Sequence, residues 1–324
     1  MSRAGRGAVV VAVDGAGTAR DAVEWASSEA AARGCPLRIV HAHRPPWPAG
    51  LGPTVPSPES IRMLRTEIDG ILAAEVARAR AVASDLEVSA TQVQGPPVRA
   101  LLAAAAGAGL LVVGSRTRPG LRGLLTRSMS IGLIAHAPCP VVVVRPAPAG
   151  GDRDLSPPRV VVGVDDTASG REAVGFAFRA ARQRGVPLVA VRAWAPDRPA
   201  DLEGASGSPV LAEAFARRTL ERVLDHLHGD FPDVPVHALV AQGEPAQALA
   251  TRTEGAAMAV VGSRGLGHLR GTLLGSVSQA VLQHTRCPLA VVGNGWAGRA
   301  STDHVRGADG FGPAEERRDR RRPA

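Results

Sequence analysis

A chain that carries the same long stretch twice, at a fixed spacing, is constrained to fold as two similar units. Val260–Val292 reads VVGSRGLGHLRGTLLGSVSQAVLQHTRCPLAVV, and Val112–Val144 reads VVGSRTRPGLRGLLTRSMSIGLIAHAPCPVVVV. They align without a gap at an offset of 148 residues (260 − 112), with 16 of 33 positions identical. The repetition extends outward. Asp165 closes an apolar run as Asp14 does, at an offset of 151 (165 − 14), and Arg184-Gly185-Val186-Pro187-Leu188 echoes Arg33-Gly34-Cys35-Pro36-Leu37. Gln242-Gly243 repeats Gln94-Gly95 at offset 148 again, so the three-residue change falls between the second strand and the third, where loop length is most tolerated.

Within each unit the pattern alternates strand and helix. In the first, residues 8–13 form a continuous apolar run, and residues 18–33 place Ala22, Val23, Ala26 and Ala30 at helical spacing before the stop at Gly34. A strand is expected at 37–42, a long amphipathic helix from Ile61 to Val76, strands at 86–93, 110–114 and 141–145, and helices at 98–106 and 128–136. Such alternation predicts an α/β fold with two tandem open parallel five-stranded sheets, each flanked by helices on both faces. Residues 6–146 and 157–293 are the expected domains, joined by a Pro- and Gly-rich linker. The Arg- and Asp-rich tail, 294–324, is expected to be disordered.

Composition removes several function classes. The sequence contains no lysine, so its net charge of +8 rests on arginine, and a Walker-type lysine or a Schiff-base lysine is excluded. Arginines are scattered among acids and only 3% of residues are aromatic, which argues against nucleic acid as a partner. Three cysteines give no disulfide framework and no CxxC pair, and are read as reduced packing residues. His136 and His284 sit at expected helix ends, and His41 and His43 have no third ligand in view for a metal. With no signal peptide and no apolar run of membrane-spanning length, the expected location is the cytoplasm.

The candidate chemistry lies in the second unit. Gly262-x2-Gly265-x9-Gly275-Ser276 joins a strand end, a glycine loop and a helix start at the carboxyl edge of a parallel sheet, where open α/β proteins bind ligands. Gly275 lets a phosphate approach the amides of Ser276, Val277 and Ser278, and the Ser276 and Ser278 hydroxyls are further donors. Asp165, at the end of the first strand on the same edge, suits a ribose or an adenine amine, or else it holds the loop before the next helix.

These residues resemble the universal stress protein family in tandem two-domain form, over roughly residues 6–146 and 157–293. The resemblance implies a Rossmann-like strand order of 3-2-1-4-5, domain pairing through the last strand, and ATP as cofactor with Mg²⁺ able to accompany it. It implies that Asp165 meets the nucleoside beside Gly163 and Ala193, that Val261, Gly262, Arg264 and Gly265 wrap the ribose and phosphates, and that Gly275, Ser276, Val277 and Ser278 hold the phosphate chain. The first unit keeps Asp14, Gly114, Arg116, Ser128 and Ser130 but carries Thr117, Pro119 and Arg127 for Gly265, Gly267 and Gly275, so it is expected to be a weak or empty site. The expected function is nucleotide-dependent regulation or stress response without a dedicated reaction, with a homodimer allowed; the alternatives are a slow ATPase and a scaffold that uses no nucleotide.

Overall fold

The computed structural model describes residues 7–15, 18–44, 57–115, 121–146, 157–195, 208–263 and 274–293. The first half runs β1 (Val9–Val13), α1 (Thr18–Arg33), β2 (Leu37–His43), α2 (Pro58–Val82), β3 (Val88–Gln94), α3 (Pro97–Ala104), β4 (Leu110–Gly114), α4 (Leu121–His136) and β5 (Val141–Val144). The second runs β6 (Val160–Gly163), α5 (Ala168–Arg184), β7 (Leu188–Trp194), α6 (Pro209–His228), β8 (Val236–Gln242), α7 (Pro245–Ala250), β9 (Met258–Gly262), α8 (Ser276–His284) and β10 (Leu289–Val292).

The strands form one sheet in the order β3-β2-β1-β4-β5-β10-β9-β6-β7-β8. Each half therefore has the order 3-2-1-4-5, and all pairings within a half are parallel. The halves meet where β5 and β10 pair antiparallel, with Leu289 opposite Val143 and Val291 opposite Val141. Both strands are entirely buried. Joining them satisfies two strand edges that separate domains would expose, so the expected two sheets become one of ten strands.

Each core also runs through both halves. On one face Val9, Val11 and Ile39 belong to the same apolar cluster as Val160, Val162, Phe176 and Phe178; on the other, Val113 and Leu133 share a cluster with Val161, Leu249 and Val281. The repeated Arg-Gly boundary has a backbone cause. Gly34 and Gly185 end α1 and α5 with φ of 63° and 62°, a left-handed conformation that costs a β-carbon about 1 kcal/mol or more.

Side chains of α1 and α5 clasp the two halves with approximate two-fold symmetry. The Arg33 guanidinium lies 5.6 Å from the centre of the Phe176 ring, and Arg184 lies 5.9 Å from that of Trp25. These are equivalent pairs, since 33 + 151 = 184 and 25 + 151 = 176. Glu29, 3% exposed, bridges both cations, with Arg33 Nη2 at 2.6 Å and Arg184 Nη2 at 2.5 Å.

One element differs from its expected extent in a way that matters for the site. The pattern places the start of α4 at Ser128, but the helix begins at Leu121, whereas its counterpart α8 begins at Ser276 as expected. Gly275 precedes α8, and its equivalent is Arg127 (275 − 148). Arg is a better helix former than Gly by roughly 1 kcal/mol, so the substitution lets the helix extend through the repeat's loop.

Glu29→Ala should strip the partner from two half-buried guanidinium groups and lower the unfolding free energy by about 3 kcal/mol in urea denaturation. Arg20→Ala, whose ion pair with Glu24 is 64% exposed on the arginine side, should change it by less than about 0.5 kcal/mol.

Candidate functional site

The carboxyl edge of the second half is assembled from the ends of β6, β7 and β9 and the starts of α5 and α8. Beyond β6, Asp165 turns back on the loop that leads into α5. Its Oδ1 accepts from the Thr167 hydroxyl at 2.5 Å and from the Thr167 amide at 3.1 Å, and Thr167 Oγ1 in turn accepts from the Gly170 amide at 3.0 Å as the N-cap of α5. One oxygen of Asp165 thus holds the loop, as the sequence allowed, while no described residue hydrogen-bonds Oδ2. Burial pushes the Asp165 carboxyl above the usual carboxylate range; the Thr167 donors and the charge of Arg192 act against that.

The end of β9 lies directly against this loop. A β-carbon at Gly262 would stand 3.0 Å from the Ser169 carbonyl carbon and 3.1 Å from the Gly170 nitrogen. Gly262 is needed for that approach, and φ is not the reason. The start of α8 is then tied to the same strand end: the Gly275 amide donates to Ser263 O at 3.0 Å, and Ser278 Oγ donates to Gly262 O at 2.6 Å. Asp165, Gly170, Gly262, Gly275 and Ser278 are therefore linked by a short chain of contacts. The hydroxyl proton of Ser278 is spent on Gly262, which leaves only its backbone N–H for a ligand.

Gly275 has φ −64° and ψ 148°, an ordinary N-cap conformation, and α8 has no side-chain cap. The lack of a side-chain cap is shared with α3, α6 and α7; among the helices whose caps are described, α8 differs in having neither such a cap nor a proline in its first turn. Ser57 and Thr167 cap α2 and α5, and α3, α6 and α7 begin with Pro97, Pro209 and Pro245, which remove one amide from the first turn. The first amides of α8 have no partner within the helix and sit at its positive end. In the first half the equivalent backbone of Ser128 and Ser130 lies inside α4, where amides donate to carbonyls four residues back.

On the sheet face below, Gly163, Val261 and Ala193 come together with α7. A β-carbon at Gly163 would lie 2.9 Å from Leu249 Cδ1 and 3.6 Å from Val261 Cγ1, and Ala193 packs against the same apolar cluster. Ser276 is exposed and Val277 half-buried. Arg264 and Gly265 lie outside the described residues, as do Gly267, Arg116, Thr117 and Pro119. The sequence reading missed Thr167 and Gly170, although a Thr-x-Ser-Gly run after the aspartate is an N-cap signal. It also missed Arg192, 3% exposed, whose equivalent is His41 (192 − 151). Burial and the neighbouring His43 hold the His41 imidazole below its ordinary pKa. Asp14, equivalent to Asp165, is exposed. All three cysteines are buried, and burial pushes the Cys287 thiol up to about 12, so it stays a thiol at neutral pH.

Comparison with known proteins gives one consistent result. The model of the universal stress protein family matches twice, at residues 6–145 and 158–293. A universal stress protein of Mycobacterium tuberculosis is 36% identical over 294 residues, covering 87% of this chain and 96% of its own length; a second from that species is 32% identical over 288 residues, covering 87% and 95%. Among solved structures, a universal stress protein from Archaeoglobus fulgidus superimposes with a TM-score of 0.65 at 20% identity, covering 89% of this chain and 97% of that one.

Two outcomes check the local geometry. Gly170→Ala should cost about 1–3 kcal/mol, because its β-carbon would overlap Asp165 Oδ1 and lie 2.7 Å from the Asp165 carbonyl oxygen, whereas Gly175→Ala in the same helix, with open space out to Arg179 Nη2 at 3.5 Å, should stabilise by up to about 1 kcal/mol. The raised Asp165 carboxyl means that the folded state keeps its proton at higher pH than the unfolded chain does. Its contribution to stability therefore falls as pH rises from about 4 through the folded value, and the unfolding free energy of Asp165→Asn minus that of wild type should increase over that window in pH-dependent denaturation.

Proposed function

The chain belongs to the universal stress protein family, and from that premise we propose that its second half binds ATP in a regulatory or stress-response role with no dedicated reaction. The observation that carries this reading is the start of α8: a helix N-terminus with no side-chain cap, preceded by Gly275 and tied to the end of β9 beside Asp165. Ser276, Val277 and Ser278 offer backbone donors to the phosphates, and Gly275, whose own amide is bound to Ser263 O, leaves room for their approach. Asp165 Oδ2 faces the nucleoside, with Gly163, Ala193 and Val261 forming the apolar floor, and Arg264 and Gly265 complete the wrap around ribose and phosphates. Mg²⁺ would enter with the triphosphate, with Asp165 and water as oxygen donors.

The reading without a dedicated reaction is supported by the described residues next to the helix start in sequence: among Ser263, Leu274, Gly275, Ser276 and Val277 none carries a carboxylate or an imidazole to act as a base, and the nearby Asp165 carboxylate is engaged with Thr167. We further propose that residues 6–146 and 157–293 are the two domains, that the first holds nucleotide weakly or not at all, and that the protein acts in the cytoplasm. Among the described residues no helix is long and apolar enough to cross a membrane. Pairing of β5 with β10 uses the last strand of each half inside one chain, so a homodimer would form through another surface.

Titration of the full-length chain with Mg·ATP should show saturable binding that weakens at least about tenfold in Gly275→Arg, with the melting temperature of the free protein retained. Unchanged affinity in that variant, or no binding by wild type, would overturn the reading. ATP turnover above the background rate that is lost in Ser276→Ala would instead identify an enzyme.

A further inference from the structure

We propose that Arg145, contributed by the first half, is the positioning residue for α8, so that the nucleotide site of the second half is held in shape across the seam of the sheet. The proposal rests on the reading of α8 as the phosphate-binding helix. Arg145 follows β5, and its guanidinium crosses to the opposite half, where Nη2 donates to Leu282 O and Nη1 donates to Gln283 O at 3.4 Å. These carbonyls belong to the last turn of α8, whose final carbonyls have no donor within the helix. A cation there also complements the negative end of the helix dipole.

Arg145 holds one end of the helix and β9 the other. At its start the Gly275 amide is bound to Ser263 O and Ser278 Oγ to Gly262 O; at its finish the brace comes from Arg145. Nine residues at about 1.5 Å each make a short rod, so freedom at one end is felt at the other.

Among the described residues the brace runs in one direction only. The equivalent of Arg145 in the second half is Gly293 (145 + 148), which has no side chain to reach back toward α4. Helix α4 is secured at its own end instead, where His136 Nδ1–H donates to Gly132 O at 3.0 Å. The half with the degenerate motif thus supports the helix of the half with the intact one. A helix fixed before ligand arrives leaves less ordering cost to be met on binding, and the coupling is reciprocal: nucleotide should steady the Arg145 contact in return.

The test uses the full-length chain with Arg145→Met, which keeps the aliphatic stem and removes the donors, beside Arg159→Met as a control. Arg159 also donates to backbone carbonyls, those of Arg252 and Glu254, but away from α8. Measured well below the melting temperature, Arg145→Met should raise the Kd for Mg·ATP about tenfold, chiefly through faster dissociation, while Arg159→Met leaves it within about twofold. Hydrogen exchange in the ligand-free proteins should be faster at the amides of residues 281–285 in Arg145→Met alone. Equal Kd values for Arg145→Met and wild type overturn the proposal, as does unchanged exchange in that segment. If wild type binds no nucleotide, the functional reading fails by itself, and the exchange arm still decides whether Arg145 braces α8.

Discussion

The antiparallel pairing of β5 with β10 is the constraint on which the rest of the structure depends. Each half on its own would present an apolar four-residue strand, VVVV or LAVV, as an open edge. Pairing the two satisfies both edges and merges the cores on either face, so that the branched aliphatics of one half pack within the same clusters as those of the other. The edges that remain, β3 (VSATQVQ) and β8 (VHALVAQ), share one exposure pattern, and β8 presents Leu239 among the exposed hydrophobic residues. The α1 and α5 clasp follows from the same geometry, since the pseudo-two-fold relation that pairs the strands also sets each arginine over the aromatic ring of the opposite helix.

Two halves with one architecture nevertheless differ at the carboxyl edges of their sheets, and small residues decide the difference. Gly275 stops α8 from extending backward and leaves its first amides unused; Arg127 permits the helix to run back to Leu121, which buries the equivalent amides in helical hydrogen bonds. The loss of a glycine therefore withdraws free helix-start amides by creating helix, in addition to any bulk its replacement brings. Beside it, Asp165 is drawn into the α5 cap by Thr167, with Arg192 buried nearby, whereas Asp14 remains exposed and His41 takes the arginine's place. Permanent charge on one edge and a titratable, buried imidazole on the other give the two halves different electrostatics on the same frame.

Much of this was legible in the amino-acid order. The 148- and 151-residue offsets require two like units, the continuous apolar runs at Val9–Val13 and Leu110–Gly114 require strands covered on both faces, and Gly34 and Gly185 mark helix ends that only glycine accepts without strain. Gly275-Ser276 marks the start of α8 for the same kind of reason: local backbone preference is written in the residues that have it. The extension of α4 was missed because it depends on helix propagation through a stretch, Leu121 to Arg127, that the repeat suggested was loop. What sequence could not supply is contact between residues far apart in the chain. The reach of Arg145 to Leu282, the ion pair from Glu29 to Arg184 and the close approach of Gly262 to Gly170 join positions 137, 155 and 92 residues apart (282 − 145, 184 − 29, 262 − 170), and no local preference encodes them. The sequence by itself determined the elements, their order and the glycine-marked helix start; the tertiary structure decided that the two units share one sheet and that one half braces the other, because those depend on which edges and side chains meet once the strands have paired.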